Sequence, residues 1–167
     1  MHLYAYTGFP RSLNALFAFM DVVENRKSKG IEDVQGEAGT PVPSDLDRDE
    51  YGAKVRAKLS GLDTVPPPAE WQLFSPAIDT LLKEHLFADL FARDVIGYQD
   101  RELTTIAALA NMTGTEGQLR FHLGGAMNTG LTEDQMKDFI SVLKNTVGNN
   151  QAENAQRVLS EVLPTRK

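Results

Sequence analysis

The stretch Asp100–Thr132, DRELTTIAALANMTGTEGQLRFHLGGAMNTGLT, decides the reading of this chain. Leu103, Ile106, Ala107 and Ala110 recur at helical spacing, with Asp100 placed to cap the helix they define. Thr115-Glu116-Gly117-Gln118 has the form of a capping box that opens a second helix, and Thr132-Glu133-Asp134-Gln135 repeats that form at a third. Gly130 between them suits the left-handed conformation that ends a helix. The first helix carries one carboxylate, Glu102, in its opening turn. The second carries one imidazole, His122, on its apolar side. Packed helices that bring such a pair together can move protons.

Outward from this stretch, the pattern stays helical. Pro10 suits a first helical position, and Leu13, Leu16, Phe17, Met20 and Val23 follow at helical spacing over residues 10–25. Residues 46–60 predict a helix with Tyr51, Val55 and Leu59 on one side. Pro66, Pro67 and Pro68 stop it. Ser75-Pro76 reads as a helix start, followed by a stripe of Ile78, Leu81, Leu82, Leu86 and Leu90 that ends near Arg93. The last helix covers residues 150–163. No strand pattern stands out, so the expected fold is all-α, with six or seven helices joined mostly by short loops.

Composition narrows the function. The chain has 167 residues, 41% hydrophobic and 24% charged, and a net charge of −6. An acidic chain argues against a general nucleic-acid or anionic-membrane surface. No apolar run approaches the ~20 residues a membrane span needs. With no N-terminal secretory pattern, the expected location is cytoplasmic. The absence of cysteine excludes disulfides, thiolate metal sites and thiol peroxidase chemistry. His2, His85 and His122 do not form a metal-ligand spacing, so no metal is expected.

There is also an internal echo at an offset of 140 residues. Thr7–Val23 can be laid on Val147–Leu163, matching Gly8 with Gly148, Asn14 with Asn154, Ala15 with Ala155 and Val22 with Val162. Residues 1–27 thus read as an amphipathic helix like the tail of a preceding repeat. Residues 28–69 read as a connector with a possible helix, and residues 70–167 as the main domain.

The run Arg101-Glu102-Leu103-Thr104-Thr105-Ile106-Ala107-Ala108-Leu109-Ala110 is followed by Gln118-Leu119-Arg120-Phe121-His122 and by Gly130-Leu131-Thr132. Together they resemble the carboxymuconolactone decarboxylase family. The resemblance covers residues 75–163, and the whole chain looks like the second domain of a tandem member with the tail of its first. It implies an alkylhydroperoxidase D-like helical bundle that assembles as a homo-oligomer, a trimer or hexamer. It also implies a cofactor-free carboxy-lyase of aromatic catabolism acting on a small lactone or carboxylic acid. The related peroxidase branch combines a glutamate and a histidine with a Cys-x-x-Cys pair, whose positions here hold Thr115 and Gln118. The alternative is a non-catalytic binding or structural member that keeps only the fold and the oligomer.

Taken without the resemblance, Glu102 reads first as a carboxylate complementing the helix dipole by ~0.3–1 kcal/mol. Likewise His122 reads first as a core histidine. With the resemblance, both become candidate catalytic residues: His122 gives or takes the proton, and Glu102 orients it or acts as base. Gln118, Leu119, Gly125 and Ala126 neighbour His122 on its helix, and the small ones leave room for a ligand or a close helix. Arg101, Arg11, Thr115, Gln118 and His85 are the candidate substrate-binding residues. Arg120 stands ~200° around the helix from His122 and points elsewhere. The stripe of Leu13, Leu16, Phe17 and Met20 predicts packing into a neighbouring subunit or into the local bundle.

Overall fold

The computed structural model describes residues 1–166. The helices are α1 (Tyr4–Ser28), α2 (Arg48–Leu59), α3 (Glu70–Phe74), α4 (Pro76–Thr80), a π-helical stretch π1 (Leu81–Leu90), α5 (Tyr98–Ala110), α6 (Glu116–Asn128), α7 (Glu133–Thr146) and α8 (Asn149–Val162). A 3₁₀ turn over Leu163–Thr165 follows α8. No strand occurs among the described residues, so the fold is all-α, as the sequence pattern predicts.

Two apolar clusters hold it together. Ile106, Leu119, Leu123, Met136, Val158 and Leu159 centre the first, built from α5, α6, α7 and α8. Val55, Leu59, Leu86, Phe87 and Leu90 centre the second, where α2 packs on π1. Tyr6 packs against both clusters. The C-terminal end of α2 meets α6: Asn128 Nδ2 donates to Leu59 O at 2.7 Å.

Local signals explain most boundaries. Thr132 caps α7 as its sequence predicts: Gln135 N donates to Thr132 Oγ1 at 3.2 Å, and Thr132 N donates to Gln135 Oε1 at 2.9 Å. Thr115 departs from the expected capping box. Its hydroxyl lies 3.1 Å from both Leu109 O, in the last turn of α5, and Met112 O, in the turn that follows, so its one proton is shared between these carbonyls and the oxygen accepts nothing from α6. Asp100 lies within the first turn of α5, because that helix begins at Tyr98.

The expected single helix over 75–93 changes its winding. From Leu81 it widens into π1, and Ser75 makes no side-chain cap. The wider winding changes which residues share a face: Leu86 and Leu90 are buried, while Ile78 and Leu81 are exposed. α1 also begins earlier than expected, at Tyr4, and is broken at Gly8 (φ 75°, ψ 165°). Gly148, its partner in the internal echo, has a φ of 155° just ahead of α8. Beyond Gly8, Leu13, Leu16, Phe17 and Met20 remain about half exposed, so the stripe does not pack into this chain's own bundle.

Candidate functional site

Antiparallel packing of α5 on α6 brings Glu102 beside His122. The Glu102 side chain is 0% exposed and that of His122 5%, and His122 Nδ1 lies 2.8 Å from Glu102 Oε2. The carboxylate accepts from Nδ1–H, which leaves Nε2 as the ring nitrogen available for chemistry. The close approach depends on Gly125, almost one turn beyond His122. A Cβ there would stand 3.0 Å from Glu102 Oε2 and 3.5 Å from Leu59 O. The space left by the small residue is filled by the carboxylate and by the end of α2.

Two aromatic rings clamp the imidazole edge-on, Phe121 with its centroid at 5.0 Å and Tyr6 at 5.1 Å. Two polar atoms of this core are buried without a hydrogen-bond partner among the described residues, Glu102 Oε1 and the Tyr6 hydroxyl. Burial, with the nearby Glu102 charge, pushes the Tyr6 phenol well above its ordinary range, so it stays protonated.

His122 forms part of the wall of a cavity of about 870 Å³. Thr115 and Gln118 line the same cavity, as do Gly114 and Gly117 at the start of α6. Glu102 lies behind His122 and does not reach the cavity surface.

The other candidates from the sequence lie elsewhere. Arg101 is buried at 3% exposure on the far side of the pair. Its Nη2 donates to Arg93 O at 2.5 Å, Nη1 sits 3.4 Å from His2 Nδ1, and the guanidinium lies over Phe91. Arg11 is exposed and reaches back to Thr7 O at 3.5 Å. His85 is bonded to Asp89 Oδ2 at 3.2 Å and stands half-exposed against Tyr4. None of these three lines the cavity. Arg120 pairs with Glu161 on the surface, away from His122.

Sequence reasoning missed several residues of this region. Arg56, Trp71, Asp79 and Lys83 line the cavity, and so does Tyr6. Their positions span 78 residues of sequence and belong to no local motif; a cation next to buried Val55 on α2 was the faintest available signal. His2 was missed too. It is 7% exposed, its Nε2 lies 3.0 Å from Thr105 Oγ1, and burial together with the Arg101 charge lowers its pKa to about 4. Among the described residues, no three His, Asp or Glu side chains gather as a metal site would require. Among the described residues, no helix is long and apolar enough to cross a membrane.

The profile of the carboxymuconolactone decarboxylase family matches residues 76–161, just over half of the chain. A protein named 4-carboxymuconolactone decarboxylase, from Acinetobacter baylyi, is 29% identical over 98 residues, which cover 58% of this chain and 72% of that protein. The chain therefore belongs to the carboxymuconolactone decarboxylase family.

Proposed function

We propose that this family member releases carbon dioxide from a small carboxylated lactone without a cofactor, with His122 as general acid and Glu102 as the carboxylate that orients and recharges it. The observation that carries this reading is the buried 2.8 Å bond between Glu102 and His122 Nδ1, with the imidazole on the wall of an 870 Å³ cavity. The volume suits a small molecule.

The chemistry follows from the charges. The carbon–carbon bond to the departing carboxylate breaks, and its electron pair passes into the conjugated lactone carbonyl as a dienolate. A proton from His122 then adds to carbon, so the substrate exchanges a carboxylate for a hydrogen. The imidazolium that gives the proton is held by the Glu102 carboxylate, which is desolvated and can turn nowhere else. Negative charge develops on the lactone oxygen and needs a donor. No side chain caps the first turn of α6, and that turn borders the cavity at Gly117 and Gln118. Its free amides and the positive end of the helix dipole suit a forming oxyanion.

The test is turnover of 4-carboxymuconolactone by the purified protein, followed as loss of substrate and release of carbon dioxide. His122→Ala lowers kcat by about 10²–10⁴-fold, the ordinary worth of a positioned general acid. Glu102→Gln lowers it less, because the amide still accepts from Nδ1 but carries no charge. Absence of wild-type turnover on this and related carboxylated lactones overturns the reading.

Assembly with copies of itself belongs to the same proposal. Leu13, Leu16, Phe17 and Met20 form an exposed apolar stripe along α1, of the kind that self-association would cover.

A further inference from the structure

The cavity has a charged wall that the proposed reaction does not use. Asp79 of α4 lies at its centre and is 7% exposed. Arg56 Nη1, from α2, donates to Asp79 Oδ1 at 2.6 Å, and Gln72 Nε2 donates to the same oxygen at 2.8 Å. Lys83 Nζ, from π1, sits 3.2 Å from Asp79 Oδ2 and 2.5 Å from Asp49 Oδ1. Burial would raise the Asp79 carboxyl, but these donors more than offset it and hold it below its ordinary value. The carboxylate is therefore saturated, and it fixes two cations at the cavity wall.

Arg56 is not exhausted by this contact. It spends one N–H on Asp79 and has no other acceptor among the described residues, so most of its five donors remain free. Its guanidinium carbon lies 5.2 Å from the Trp71 ring centroid and 6.0 Å from that of Phe87, which restricts the fork to a plane. The arginine and lysine side chains are only 21% and 18% exposed, so water screens them weakly. Asp49, the other anion of the group, is 56% exposed and bonds the Lys83 ammonium at 2.5 Å, so the donors left unspent are mainly those of Arg56. Leu82, Leu86 and Phe121 line the same cavity and give it apolar surface.

We propose that Arg56 and Lys83, fixed by Asp79, form a carboxylate-binding subsite of the His122 cavity, which takes a small unsaturated acid whose body lies against Trp71 and Phe87. Arg56 holds the ligand carboxylate through two of its free N–H groups, and Lys83 adds charge. This deepens the decarboxylation reading and rests on it at one point, the identity of the carboxylate that is held. A carboxylate about to leave as neutral carbon dioxide gains nothing from an ion pair, because that contact stabilises the ground state more than the transition state. The carboxylate on Arg56 is therefore the one retained, and a substrate for this cavity carries two. Arg56 and Trp71 lie outside residues 76–161, so the segment matched by the family profile does not contain the whole subsite.

Trp71 is the single tryptophan of the chain and reports binding without any turnover. The probes are cis,cis-muconate, a flat dianion, and its neutral dimethyl ester, titrated against Trp71 fluorescence. The dianion gives a saturable change and binds about tenfold or more tighter than the ester, the ordinary effect of one charge-assisted pair. Arg56→Met abolishes that preference, because it weakens the dianion far more than the ester. Arg56→Lys keeps the Asp79 pair but lacks the fork, so it retains part of the preference and serves where the methionine variant folds poorly. Lys83→Met weakens the dianion by a smaller factor. No saturable response to the dianion, equal binding of dianion and ester, or an undiminished preference in the Arg56 variants overturns the subsite. Because none of these measurements involves turnover, a protein that binds the dianion through Arg56 yet decarboxylates nothing overturns the reaction and leaves the subsite standing.

Discussion

Among the glycines, Gly52 of α2 leaves the least room for a side chain, and replacing it with alanine tests the geometry directly. A Cβ at Gly52 would stand 2.0 Å from Lys83 O, 2.7 Å from Lys83 C and 2.9 Å from Lys83 Cα. Ordinary carbon–oxygen contact is about 3.3 Å or more. The neighbour is backbone and cannot rotate away, so α2 and π1 must part by more than about 1 Å at this point. The seam that opens contains Val55, Leu59, Leu86, Phe87 and Leu90. A gap of about 0.5–1 Å forfeits a quarter to a half of each dispersion contact, and overpacking of this kind costs about 1–3 kcal/mol or more. Better helix propensity returns at most ~1 kcal/mol. Steric strain combined with the opened seam puts the net loss near 3 kcal/mol, or a Tm lower by roughly 6–12 °C in a domain of this size. Gly124→Ala in α6 is the control, since nothing lies within 4 Å of its Cβ; it raises stability by about 0.5–1 kcal/mol. The assay is thermal unfolding followed by circular dichroism. A Gly52→Ala protein that melts within about 2 °C of wild type would refute the close approach. Since Arg56 and Lys83 flank the same contact, muconate binding weakens along with it.

Gly125→Ala acts on the site more than on stability. Its Cβ at 3.0 Å from Glu102 Oε2 displaces the carboxylate by a few tenths of an ångström, while helix propensity improves by up to ~1 kcal/mol. The variant melts near wild type and loses decarboxylase rate; full activity would show that the Glu102–His122 bond tolerates displacement. His2 gives a pH dependence with a definite sign. Its folded pKa of about 4 lies below the ordinary 6.5, so the unfolded chain binds the extra proton between those values. Stability from this group is present above pH 6.5 and falls by about 3 kcal/mol as the pH drops to 4. His2→Gln flattens that part of the Tm-versus-pH curve, and an unchanged slope rejects the assignment. On α1, Phe17→Glu places a charge in the exposed stripe and dissociates the proposed assembly in light scattering. A wild-type protein that is a stable monomer at micromolar concentration rejects assembly through this face.

The sequence alone determined what local rules can carry. Apolar spacing identified the helices, Thr132 and Gln135 announced the cap they form, and the Glu102 and His122 motifs marked a family that the comparisons establish. These features are legible because each depends on residues within a turn or two of one another. Tertiary structure decided the rest. Thr115 abandons its capping box because Leu109 of α5 and Met112 of the following turn both offer it carbonyls. The helix after Ser75 widens into π1, whose Lys83 backbone meets Gly52 of α2, while Ile78 stays exposed. Arg101, between Asp100 and Glu102, and Arg56, between Val55 and Ala57, are both helical cations, yet the first is buried against Arg93 O while the second faces the cavity. Which cation meets a ligand depends on where separate helices converge, and no periodicity within one helix encodes that.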